Sequence, residues 1–150
     1  MGPRSWRSCP WPRAGAASKE AIPLEPRREI RTDGAPAPGG GYSQAIRRGN
    51  LLYTAGLGPH DPRTREVVGA DIAAQTRQTL RNLQAVLAAG GAAFEDVVKV
   101  TVHLQDVRRD FAGFDAAYRA VMPEPRPART TVGSQLAGIL VEIDMLAVLG

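Results

Sequence analysis

The stretch ILVEIDMLAV, residues 139–148, decides the fold because it is typical of one β-strand that is apolar on both faces. Successive side chains of a strand point to opposite faces of its sheet. One face carries Ile139, Val141, Ile143, Met145 and Ala147, and the other carries Leu140, Glu142, Asp144, Leu146 and Val148. Because both sides of such a strand need cover, we expect helices on one face and another copy of the chain on the other, in a closed homo-oligomer.

Glu142 is the residue of this strand that needs a partner. An ionised carboxylate that is buried alone costs several kcal/mol, so a chain that keeps one pairs it, protonates it or uses it. The segment PEPRPARTTV, residues 123–132, offers a candidate, since its prolines hold the chain extended and place Arg129 at the start of a strand. If this strand forms a simple hairpin with residues 139–148, with Val132 opposite Ile139, then Arg129 lies opposite Glu142 on the same face.

Two interpretations of this predicted pair stay open on the residues alone. It is either a structural ion pair that fixes the strand register, or a guanidinium that grips a substrate carboxylate while the acid beside it handles water and protons. The sequence gives little support for metal-dependent or nucleophilic catalysis. His60 and His103 have no third ligand at metal-binding spacing, so we expect no metal, and no serine or cysteine nucleophile has a neighbouring base.

The rest of the chain alternates between strand and helix patterns. Strands are predicted over residues 42–48, 51–57, 66–68, 98–104 and 129–132. The first of two amphipathic helices starts at an Asp71 cap and stops at Gly90-Gly91, and the second starts at an Asp110 cap and ends before Pro123. Both helices can lie on one face of a single sheet, so the predicted class is an α+β layer in one domain.

Composition limits the partners that the protein can have. The chain of 150 residues has a formal net charge of +4, but residues 1–48 carry nine basic and four acidic side chains, while residues 49–150 carry ten basic and eleven acidic ones. The nearly neutral body argues against a nucleic-acid partner. Residues 1–35 lack any period and are expected to be a disordered or weakly ordered basic extension, with the domain at 36–150. The single cysteine, Cys9, and the lack of a membrane-length apolar run favour a cytoplasmic protein.

Several ordered motifs together resemble one protein family. They are YTAGLGP at 53–59, QTRQTLRNLQAVLAAGG at 75–91, DVVKVTVHLQD at 96–106, RPARTTV at 126–132 and VEID at 141–144. In this order and spacing they resemble the RidA/YjgF family of reactive-intermediate deaminases, formerly described as L-PSP endoribonucleases. The resemblance covers about residues 37–148. It implies a chorismate-mutase-like α+β fold with a six-stranded sheet and two helices on one face, assembled as a homotrimer with active sites in clefts between subunits.

The resemblance also implies a reaction and roles for particular residues. The reaction is the hydrolysis of enamines and 2-imino acids, such as 2-iminopropanoate and 2-iminobutanoate, to 2-oxo acids and ammonia, with no cofactor. Arg129 of the PAR motif is expected to bind the substrate carboxylate, and Glu142 of the VEI motif to position or activate the water. Tyr42 is expected to line the cleft, and Gly56 to offer its backbone to the ligand.

Three further positions are expected to contact the substrate but depart from the family pattern. Ala55 stands where a serine is common, Asp115 where an asparagine is frequent, and Thr131 where a cysteine is frequent. Leu57 also stands where a glutamine is common, and the loss of the serine hydroxyl and the glutamine amide makes the pocket less polar, which favours a bulkier or pathway-specific imine. Two other functions stay open: a module that binds a metabolite without turnover, and an endoribonuclease or RNA-binding protein, which the older family description suggests.

Overall fold

The sheet and helices are described by a computed structural model that covers residues 25–150. The strands are β1 (Arg28–Ile30), β2 (Ala45–Arg48), β3 (Leu51–Thr54), β4 (Val97–Leu104), β5 (Ala128–Gly133) and β6 (Val141–Val148), and the helices are α1 (Ile72–Ala89) and α2 (Val107–Arg119). The six strands form one sheet in the order β1-β2-β3-β6-β4-β5, with β4 and β5 parallel and the other pairs antiparallel. The predicted α+β class, six-stranded sheet and pair of helices are thereby confirmed. No helix in this part of the chain is long and apolar enough to cross a membrane.

Strand β6 lies in the middle of the sheet and has the predicted alternation. Its side chains at 141, 143, 145 and 147 are buried, while those at 142, 144 and 146 are partly exposed. The buried face packs on α1 and belongs to a core that includes Leu83 of α1 and Phe114 of α2. The other face of the sheet has no cover within residues 25–150.

Helix α1 begins and ends where the sequence predicts. The Asp71 side chain accepts a hydrogen bond from the backbone N–H of Ala74, which satisfies a donor that the first turn leaves unpaired. At the other end, the chain leaves the helix at Gly90 and passes through Gly91, whose φ of 85° lies in the left-handed region that favours glycine. The stripe that α1 buries includes Leu80, Leu83, Val86 and Leu87.

Helix α2 begins one turn earlier than predicted. Its N-cap is Asp106, whose side chain accepts from the N–H groups of Arg108 and Arg109, each at 3.1 Å. The predicted cap, Asp110, lies inside the first turn, where it is buried and makes a two-bond ion pair with Arg109. An aspartate four residues further along offers the same sequence signal, so the correct cap could not be chosen from the pattern.

The predicted hairpin between β5 and β6 is wrong. Strand β4 lies between them and pairs in parallel with β5, and α2 supplies the crossover that a parallel pair requires. Arg129 therefore sits beside Val100, whose side chain faces the helices, whereas Glu142 sits beside His103 on the opposite face of the sheet. Arg129 and Glu142 of one chain do not form a pair.

The predicted basic extension also needs correction at its end. Residues 28–30, which were assigned to it, form strand β1 and pair with β2, and the side chain of Ala35 is buried. Residues 1–24 lie outside the described residues. The short strand predicted at 66–68 is reduced to a single bridge between Val67 and His60.

Candidate active site

The predicted site residues fall into two separate groups, one on each side of the sheet. The first, which we call the Arg129 cluster, consists of Arg129 and Thr131 of β5 with Phe111, Phe114, Asp115 and Tyr118 of α2. The second, which we call the Glu142 pocket, surrounds Glu142 of β6 and includes Tyr42 and Gly56. Each group therefore contains part of the predicted chemistry.

The guanidinium of Arg129 is fixed by a carboxylate and three aromatic rings. Its Nη2 donates to Oδ1 of Asp115 across 2.7 Å. Its carbon Cζ lies 5.8, 5.1 and 4.7 Å from the ring centroids of Phe111, Phe114 and Tyr118. These distances are typical of cation–π contacts. The side chain keeps 20% of its surface accessible. It is thus held in one orientation and can still receive an anion.

The spacing of α2 explains the cluster. Residues three and four apart share one face of a helix, so positions 111, 114, 115 and 118 lie together on the side of α2 that contacts Arg129. Strand β5 presents Arg129 to this face, and Thr131, two residues along, lies on the same side of the sheet. Burial raises the pKa of the Tyr118 phenol above its ordinary value, and the positive charge of Arg129 partly opposes this effect.

The Glu142 pocket has a volume of about 300 Å³. Its polar lining consists of Tyr42, Gln44, His60, Arg65 and Glu142, and its backbone wall includes Gly56 and Gly58. A pocket of this size can hold a small organic acid. Within residues 25–150 there is no cluster of three His, Cys, Asp or Glu side chains that could bind a metal ion.

Gly56 is needed for the close approach of Glu142. Backbone hydrogen bonds in both directions between Leu57 and Ile143, of 2.9 and 3.0 Å, hold the segment after β3 against β6. A Cβ atom at position 56 would lie 2.7 Å from Oε1 of Glu142. Only a residue without a side chain leaves the carboxylate in place.

Tyr42 and Gln44 shape the wall of the pocket. Tyr42 is half-exposed, and its hydroxyl accepts from the N–H of Gly39 at 3.1 Å. Gln44 is buried, and its amide accepts from Thr32 and donates to the carbonyls of Thr32, Ala35 and Pro36, which fixes that segment at the rim. Ala55 precedes Gly56 and donates its N–H to the carbonyl of Gln44, but it does not line the pocket.

Sequence reasoning missed three polar residues of this pocket: Gln44, His60 and Arg65. The available signal for Gln44 was a polar residue directly before the apolar start of β2 at Ala45 and Ile46. His60 was interpreted as a loop residue, which it is, but its loop forms part of the pocket wall. Nothing in the local pattern distinguishes Arg65 from the other exposed arginines.

Comparison with known proteins identifies the family. The family model described as "Endoribonuclease L-PSP" matches residues 32–149. A RutC family protein from Pyrococcus horikoshii is 48% identical over 120 residues, which cover 79% of this chain and 94% of that protein. A 2-iminobutanoate/2-iminopropanoate deaminase from Escherichia coli is 40% identical over 126 residues, 81% of this chain and 97% of that one.

A solved structure agrees with these sequence matches. RidA from an Antarctic Psychrobacter species superimposes with a TM-score of 0.77 at 37% identity, over 81% of this chain and 99% of that one. The superposition extends over nearly the whole Psychrobacter chain. Both the Arg129 cluster and the Glu142 pocket lie within residues 32–149, the range that the family model matches. The chain therefore belongs to the RidA/YjgF family.

Proposed function

We propose that this protein hydrolyses enamines and 2-imino acids to 2-oxo acids and ammonia, at sites that form between neighbouring subunits of a homotrimer. The observation that supports it is the division of the site. Each chain has a fixed guanidinium on one side of its sheet and a pocket with a carboxylate on the other. A neighbouring copy that brings its Arg129 cluster to the Glu142 pocket unites the two groups.

The uncovered face of the sheet supports such an assembly. Tyr53 and Val148, which lie on this face, have 48% and 36% of their surface exposed, and Val132 of the edge strand has 38%. Tyr53 pairs with Leu146, so these side chains extend an apolar surface across the sheet. Exposed apolar side chains grouped in this way mark an interface between proteins.

The proposed reaction needs one anion site and one acid/base group. The forked guanidinium of Arg129 binds the substrate carboxylate with two parallel hydrogen bonds and so orients the C=N carbon. Asp115 already occupies one donor of Arg129, so the substrate binds to the donors that remain or displaces the aspartate. The aromatic rings beneath the guanidinium prevent it from turning away.

Glu142 handles the water and the protons. It accepts a proton from water as the water oxygen bonds to the imine carbon, and it passes this proton to the imine nitrogen. The product is a carbinolamine, which carries hydroxyl and amino groups on one carbon. The hydroxyl proton is then transferred to the nitrogen through Glu142, the C–N bond breaks, ammonia leaves, and the carbonyl of the 2-oxo acid remains. Water is the only co-reactant.

Mixed assemblies test whether the site is shared. Arg129→Ala and Glu142→Gln each remove one half of the site, so each variant alone should lose nearly all of its activity. When the two are mixed at equal amounts and allowed to exchange subunits, one interface in every mixed trimer has both groups intact, which restores about a quarter of wild-type activity. Activity is measured as ammonia release from freshly generated 2-iminopropanoate.

The matched control mixes Arg129→Ala with the double variant Arg129→Ala/Glu142→Gln, which offers no intact pair. Native mass spectrometry verifies that subunits have exchanged. Mixed trimers that stay as inactive as this control would contradict a site shared between subunits.

A further inference from the structure

Arg65 occupies a backbone conformation that normally belongs to glycine. Its φ is 65°, and it is the only non-glycine residue with positive φ among residues 25–150. It closes a tight turn in which the Asp61 carboxylate accepts from the N–H groups of Arg63 and Thr64, and the Asp61 carbonyl accepts from the N–H of Arg65. A side chain in this region destabilises the fold by about 1–2 kcal/mol relative to glycine. The chain thus keeps a large cation at a position where glycine would be more stable.

Arg65 is one of the residues that line the Glu142 pocket. The four salt bridges between residues 25 and 150 involve Arg109, Arg119, Arg126 and Arg129, so none of them uses Arg65 or Glu142. The positive charge at this pocket is therefore not committed to a carboxylate of the described chain. The opposite charge of Glu142 lines the same pocket.

The wall segment at residues 58–60, next to the turn that contains Arg65, is held in place by helix α1. The buried Asn82 of α1 donates to the carbonyls of Gly58 and His60, both at 2.9 Å. The ring of His60 packs against Gly58, where an added Cβ atom would lie 3.2 Å from Nδ1. The turn with Arg65 joins this wall through the bridge between His60 and Val67. The turn that contains Arg65 is thus attached to a fixed segment of the pocket wall.

We propose that Arg65 binds a second anionic group of the substrate, and that the preferred substrates are 2-imino dicarboxylic acids. This inference rests on the proposed function, in which Arg129 of a neighbouring copy holds the carboxylate next to the imine. A substrate with a second carboxylate on its side chain would be repelled by Glu142 in a pocket without a cation. Arg65 offsets this repulsion and offers a forked, charge-assisted hydrogen bond. The 300 Å³ pocket has room for a side chain of this length.

The test compares two imino acids in the same assay. An amino acid oxidase generates the imino acid from glutamate or from alanine, and kcat/KM for ammonia release is measured for each. We expect Arg65→Gly to lower the ratio of the glutamate-derived to the alanine-derived value by about tenfold or more, as the loss of a charge-assisted hydrogen bond implies. Arg63→Gln, in the same turn but outside the Glu142 pocket, is the matched control and should leave the ratio unchanged.

Arg65→Gly also separates binding from folding. Glycine relieves the left-handed backbone, so the melting temperature of this variant should equal or exceed that of the wild type. Arg65→Lys keeps the charge but loses the fork, and its ratio should lie between those of the wild type and Arg65→Gly.

The outcomes distinguish this inference from the proposed function. If the wild type hydrolyses the alanine-derived imine and Arg65→Gly changes the ratio less than twofold, the role of Arg65 is wrong while the deaminase function stands. If the wild type hydrolyses neither imine, the role of Arg65 is tested by binding instead. The wild type and Arg65→Gly are each titrated with 2-oxopentanedioate and with 2-oxobutanoate in a calorimeter. Selective binding of the dicarboxylate that is lost in Arg65→Gly supports the Arg65 site, and equal binding by both proteins overturns it.

Discussion

Arg129 and Glu142 lie on opposite faces of one sheet, and strand β4 runs between the strands that carry them. The two groups that the proposed deamination requires therefore cannot meet within one chain. Each is nevertheless well prepared for its task, since Arg129 is held by Asp115 and three rings, and Glu142 fits against Gly56 in a pocket.

Replacement of Arg129 should affect catalysis far more than assembly. Arg129→Ala removes a bidentate, charge-assisted contact to the substrate carboxylate, and we expect kcat/KM for 2-iminopropanoate to fall by about a hundredfold. Size-exclusion chromatography with light scattering should still return the wild-type oligomer. Arg126→Gln, which removes an arginine from the same segment, is the control. Normal turnover by Arg129→Ala would contradict the assignment.

Asp115 should weaken the affinity of Arg129 for the substrate. It places a negative charge 2.7 Å from the cation that the substrate carboxylate needs. Asp115→Asn keeps an oxygen that can accept the same hydrogen bond but removes the charge, so KM for 2-imino acids should fall several-fold with a smaller change in kcat. Asp115→Ala loses the hydrogen bond as well and is the comparison that separates charge from positioning. An unchanged or higher KM in Asp115→Asn would show that the aspartate does not compete with the substrate.

A methyl group at Gly56 should displace Glu142. The added Cβ atom would lie 2.7 Å from Oε1 and 2.9 Å from the carboxyl carbon, too close for either to stay. Gly56→Ala should therefore lower kcat by at least about tenfold, because the carboxylate no longer reaches the position of the water. Gly41→Ala, whose Cβ would meet nothing within 4 Å, is the matched control. Full activity in Gly56→Ala would mean that the carboxylate works equally well from another position.

Tyr118 should limit stability at alkaline pH. Burial raises the pKa of its phenol above the ordinary value of 10.0, so the unfolded chain loses this proton first as the pH rises. The contribution to stability is thus complete below about pH 10 and declines as the pH rises towards the folded-state pKa. In urea titrations at several pH values, Tyr118→Phe should lose less stability above pH 10 than the wild type, whereas the exposed Tyr53→Phe should behave like the wild type.

The same variant has a simple expectation at neutral pH. The Tyr118 hydroxyl is buried and has no hydrogen-bond partner within residues 25–150. Its removal should therefore leave the free energy of unfolding unchanged or raise it by about 1 kcal/mol. A fall in the free energy of unfolding by about 1 kcal/mol or more would indicate that the hydroxyl has a hydrogen-bond partner in the assembled protein.

The elements that the sequence predicts well are those with local signals. Helix α1 has an apolar stripe, an aspartate cap and a pair of glycines at its end, and all three agree, so both of its boundaries were predicted correctly. Helix α2 offers two aspartates before the same stripe, and only the packing of Asp110 against Arg109 distinguishes them. The alternation of β6 identified its buried face because burial on a strand follows a period of two residues.

The pairing of strands has no such local signal. A hairpin of β5 and β6 would join neighbours in sequence, and nothing in residues 126–148 excludes it. Strand β4 displaces that pairing because α2 packs on the sheet and carries the chain back parallel to β4. The resemblance to the RidA/YjgF family named the individual site residues, but the location of each on its face of the sheet came only from the three-dimensional register.

The location of Arg129 and Glu142 on opposite faces has a consequence for cohesion of the proposed trimer. A ligand that binds to Arg129 of one copy and lies beside Glu142 of the next contacts both subunits at their interface. Ligand binding and subunit association are then thermodynamically linked, so each strengthens the other by the same free energy. A non-hydrolysable carboxylate should therefore slow the dissociation of subunits. Dilution that separates the subunits should in turn weaken the affinity for the ligand.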